Sequence, residues 1–147
     1  MKNTCLLSED SKNYLCCFYQ TLDGMVQATT TAGLTQSISH NFIVQMLPHH
    51  RAAIQMASNV LRFTENQAVL RLAQQVVRER TQSIDQLEDA LAPAGQLANP
   101  QQDLRLYQRR MELIYRDMYA KMSRAPENNR LAAVYLRQTL PHRMGAA

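Results

Sequence analysis

Phe42-Ile43-Val44-Gln45-Met46-Leu47-Pro48-His49-His50-Arg51-Ala52-Ala53-Ile54-Gln55-Met56-Ala57 is the stretch on which the reading of this chain turns. Its apolar residues recur at helical spacing, yet a proline and two adjacent histidines stand in the middle. Proline inside a helix removes a backbone hydrogen bond and costs about 3 kcal/mol. A shorter echo, Tyr135-Leu136-Arg137-Gln138-Thr139-Leu140-Pro141-His142-Arg143-Met144-Gly145-Ala146, follows 93 positions later. Both copies place the proline directly before a histidine, so each helix is expected to kink there and to use the kink.

Working outward, five helical segments can be drawn. The first spans roughly 9–32, opened by Ser8 with Glu9 and Asp10 in the first turn, where carboxylates suit the helix dipole. The second spans about 36–63 and contains Pro48. Thr64-Glu65-Asn66-Gln67 fits a capping box for the third, whose inward stripe is Val69, Leu72, Val76, Ile84, Leu87 and Leu91. Residues 92–98 read as a connector, and Asn99-Pro100 as cap and first position of the fourth segment. Pro126 ends that segment, and a fifth is expected from about Glu127. The fold class expected is all-α, an antiparallel bundle of four to five helices with a proline-kinked second helix.

The 93-residue offset pairs more than the two Leu-Pro-His triplets. It sets Phe42 against Tyr135, Gln45 against Gln138, and Met25 against Met118 on the preceding helices. One domain, 1–147, is expected, built from repeat units of about 9–91 and 100–147 with the second truncated.

The Phe42–Ala57 stretch resembles the DUF305 family, whose hallmark is Phe-Leu-x-x-Met-Ile-Pro-His-His-x-x-Ala-Ile-x-Met-Ala. The resemblance implies a ferritin-like helical bundle and, as in some members, copper binding through histidine and methionine. It implies no agreed activity. Members commonly carry Glu-Ile-x-x-Met on the third helix, where this chain reads Ser83-Ile84-Asp85-Gln86-Leu87. Both of those potential donors are replaced, while the packing residue Ile84 is kept.

Composition narrows the class further. With four glycines, five prolines and no tryptophan in 147 residues, the chain is punctuated too sparsely for many short strands. No run approaches the ~20 apolar residues of a membrane span. Met1–Asp10 has no apolar signal-like core, and a cytoplasmic location is expected. Cys5, Cys16 and Cys17 are an odd set with an adjacent pair, which reads as reduced thiols rather than a disulfide framework. The net charge of +4 comes from arginines interleaved with carboxylates, so no basic stripe marks a nucleic-acid face.

Several chemistries are excluded by spacing. Neither Glu79, Glu88 nor Glu112 has a histidine three residues on, as a ferritin-like di-iron site needs. Glycine-rich phosphate loops are absent. On a helical wheel Phe42, Met46, His49, Ala53 and Met56 share one side, and His50 points elsewhere. Met46 with His49 or His50, at i,i+3 or i,i+4, forms the best local donor pair. Imidazole with thioether suits a soft ion, above all Cu(I). The candidate donors are His49, His50, Met46 and Met56, followed by His142 and Met144.

Two functions therefore stand open. One is a non-enzymatic bundle protein that binds copper. The other is a structural or interaction module, in which imidazoles satisfy carbonyls freed by the prolines. The truncated second repeat leaves faces of the fourth and fifth segments without a neighbour. Tyr107, Met111, Tyr115, Met118, Tyr119 and Met122 offer more apolar surface than one neighbour hides, and a twofold homodimer is expected on these helices.

Overall fold

The computed structural model describes residues 6–125 and 127–146. Five helices follow in order: α1 (Glu9–Thr30), α2 (Ile38–Leu61), α3 (Gln67–Gly95), α4 (Gln101–Ser123) and α5 (Leu131–Ala146). No strand occurs among the described residues, and the protein is an all-α helical bundle. Cys5 and Pro126 lie outside the described residues.

α2 is the hub, packing against α1, α3 and α5, while α4 packs on α5. A helix with neighbours on several sides must be apolar on several sides. Accordingly Ile43 and Leu47 meet Ala94 and Leu91 of α3, whereas Ala52, Met56 and Val60 join the main core. Val60 and Val69 share that core, so α2 and α3 run antiparallel as a hairpin. Tyr14, Phe18 and Leu22 supply the α1 face, and Val134 and Tyr135 the α5 face. Pro48 does not end α2, and Leu140-Pro141-His142 lies within α5.

Local chemistry explains where the helix boundaries differ from the sequence reading. The expected connector 92–98 is helical as far as Gly95, with Pro93 in the last turn. The carbonyl of Ala94 is satisfied there by the buried hydroxyl of Ser37, at 2.7 Å. Asn99 does not cap its own helix. Its Oδ1 accepts from the Ile38 N–H at 2.8 Å, at the start of α2, and α4 begins after Pro100 with no side-chain cap. In the expected capping box the cap is Asn66, whose Oδ1 accepts from the Val69 N–H. α5 starts four residues late because side chains before it bond elsewhere: Glu127 to Tyr19, Asn129 to the Ser8 N–H, Asn128 to the Arg130 N–H.

The α1 and α5 helices are tied by a buried polar pair. Tyr14 donates its hydroxyl to Gln138 Oε1 at 2.9 Å, and both side chains are fully buried. Surface ion pairs such as Arg116–Glu112 and Lys121–Asp117 are exposed i,i+4 contacts and contribute little.

Candidate functional site

His49 sits one residue after the proline of α2, on the face turned towards α4 and α5, and is fully buried. Its Nε2 lies 2.9 Å from the sulfur of Met118 on α4. Its ring stacks on that of His142 from α5, with centroids 3.9 Å apart and planes inclined by 24°. The Nε2–H of His142 donates to the backbone carbonyl of His49 at 3.0 Å. Tyr115 completes the surround, its ring 6.0 Å from that of His49.

Such surroundings disfavour a protonated imidazole. Burial drives the His49 pKa down to about 2, helped by the neighbouring His142, His50 and Arg80. His142 is pushed down to about 4, again chiefly by burial, although its bond to the His49 carbonyl opposes the shift. Both rings are therefore neutral at physiological pH, and each keeps a lone pair. In His142 the proton is on Nε2, since a carbonyl can only accept. For His49, proton placement on Nε2 gives a hydrogen bond to a weak sulfur acceptor and leaves Nδ1 bare. Among the described residues, neither His49 Nδ1 nor the buried Tyr115 hydroxyl has a hydrogen-bond partner.

His50 faces the other way, as the wheel requires. Its Nδ1–H donates to the Met46 carbonyl of its own helix, and Arg80 of α3 lies 3.4 Å from its Nε2. Burial and the Arg80 charge lower its pKa. Both imidazole nitrogens are thus engaged. Met46 and Met56 are buried, Met56 within the main core, where it lines a cavity of about 200 Å³ with His142 and Arg80. Met144 is 65% exposed at the end of α5. Of the sequence-derived donors, the fold brings His49 and His142 together.

Met118, one of the residues of the apolar α4 surface expected to form a dimer, is instead buried in the same chain against His49. The signal existed, since the 93-residue offset pairs it with Met25 on the helix preceding the other histidine motif. His40 is half-buried beside Asn41. Cys16 is exposed and Cys17 half-buried, both free thiols. Among the described residues no group of three or more His, Cys, Asp or Glu side chains could hold a metal ion. No described helix is long and apolar enough to cross a membrane.

Fold and site together define an all-α bundle protein with a neutral histidine pair sealed in its core against a thioether. The chain belongs to the DUF305 family: the model described as "Domain of unknown function (DUF305)" matches residues 19–91 and again 39–147. No curated protein and no solved structure matches it.

Proposed function

We propose that the protein is a non-enzymatic binder of a soft monovalent metal ion, copper(I) above all, with His49 and Met118 as the donors that hold it. The observation that carries the reading is the approach of His49 Nε2 to Met118 Sδ at 2.9 Å in a buried, uncharged setting. A donor set of imidazole and thioether with no carboxylate fits Cu(I) and fits Mg(II) or Ca(II) poorly. A ring already neutral has no proton charge to expel when a metal approaches, and a shift of its proton to the unpartnered Nδ1 frees Nε2. Met118, with three rotatable side-chain bonds, can move its sulfur to admit the ion. His142, stacked on His49, supplies a further lone pair on Nδ1.

A purely structural role is the second reading, favoured by the His142 Nε2–H bond to the His49 carbonyl, which joins α2 to α5 without any metal. Titration of the reduced protein with Cu(I) or Ag(I) separates the two. Stoichiometric binding that weakens in both His49→Ala and Met118→Leu is expected. A native protein that binds neither ion would overturn the metal reading and leave the structural one.

A further inference from the structure

The buried donors need a route to solvent, and the fold contains one. A cavity of about 500 Å³ opens between α1 and α4. Met25 and Val26 of α1 and Met111, Tyr115 and Met118 of α4 are among the residues lining it. His49 is fully buried and lines neither this cavity nor the one beside Met56. Met118 and Tyr115 line this cavity while lying beside His49, Met118 with its sulfur 2.9 Å from Nε2.

Of the three methionines, one is more exposed than the other two. Met111 is half-buried, whereas Met25 and Met118 are 4% and 3% exposed. At the rim stand Glu112, the one carboxylate in the lining, and Arg116, which pair with each other at 2.8 Å. A single carboxylate shared with an arginine gives a hard divalent cation too few oxygen ligands to replace its water. A soft ion finds thioethers at successive depths.

We propose that this cavity is the loading port of the site: a soft monovalent ion binds first to the thioethers of Met111 and Met25 and passes through Met118 to His49. Met25 and Met111 are transfer ligands, not permanent ones. The exchange is of one neutral donor for another, with no change in the metal's oxidation state and no proton released. The inference rests on the soft-metal reading above.

The test separates the two. Ag(I) is mixed with the full chain, and its arrival is followed by the ring signals of ¹⁵N-labelled His49 and the methyl signals of ¹³C-labelled methionine. In Met25→Leu/Met111→Leu, arrival at His49 should slow by about tenfold or more while the final occupancy stays that of the native protein. Leu113→Ala, at an exposed position of α4 outside the cavity, should leave the rate unchanged. Zn(II) should perturb neither set of signals. Equal rates in native and double variant would overturn the loading port while leaving the metal site intact. Failure of the native protein to bind Ag(I) would overturn both. If the double variant folds poorly, Met111→Leu alone, at the half-buried outer position, serves as the slower-loading variant and is read the same way.

Discussion

His49 and His142, 93 residues apart in sequence and on different helices, stack ring on ring at 3.9 Å, and the second donates a hydrogen bond to the carbonyl of the first. Neither ring can be charged in that position, because each would carry its proton into the core beside the other. The pair is thus a neutral, polar, sealed junction between α2 and α5. It draws Met118 of α4 into the same contact, so three helices converge on one imidazole.

Stability should depend on pH in a direction that the pair fixes. His49 and His142 titrate at about 2 and about 4 in the folded protein, against 6.5 for an unperturbed histidine. Below pH 6.5 the unfolded chain takes up protons that the folded chain refuses, so stability falls as pH falls. The stabilisation is complete above pH 6.5 and declines by up to about 1.4 kcal/mol per histidine per pH unit. His142 ceases to contribute to the slope near pH 4. Urea midpoints at pH 7.5, 6 and 5 should descend in that order. Equal midpoints would show that the rings are not buried neutral.

Removing the His142 side chain should be costly in the metal-free protein. His142→Ala loses the bond to the His49 carbonyl and the stacked ring, and leaves a void between α2 and α5. A loss of roughly 2–4 kcal/mol in chemical denaturation is expected. A change below about 0.5 kcal/mol, the usual range for surface substitutions, would mean that the junction does not hold the helices together.

The Tyr14–Gln138 pair makes an independent check on the packing of α1 against α5. Tyr14→Phe keeps the ring and removes the donor to Gln138 Oε1, whose amide nitrogen has no partner among the described residues. An unsatisfied buried amide costs about 1–3 kcal/mol, and that is the expected destabilisation. The double substitution Tyr14→Phe/Gln138→Leu should recover part of it. No recovery would place the cost elsewhere.

Much of this was legible in the residues. Helical periodicity, sparse glycine and the capping residues gave the five helices, and Ile43, Leu47, Ile84, Leu87 and Leu91 pack as their spacing required. The boundaries were less legible because they depend on partners far along the chain. Asn99 looks like the cap of the helix that follows it, yet it bonds to Ile38, a residue 61 positions earlier. The site was half legible for the same reason. Local wheel arithmetic pairs His49 with Met46 on one helix, but its sulfur neighbour comes from α4, and which face of α4 turns inward is decided by tertiary packing. That packing also sends Met118 and Met122 into the core while Leu106, Leu113, Ile114 and Tyr119 stay exposed on α4.

Copper K-edge X-ray absorption on the Cu(I)-loaded protein tests the role of the His49–Met118 contact most directly. Nitrogen and sulfur should both appear in the first coordination shell, with the sulfur contribution reduced in Met118→Leu and the nitrogen contribution reduced in His49→Ala. A first shell that is the same in the native protein and both variants would contradict the assignment, since the ion would then be held by other residues.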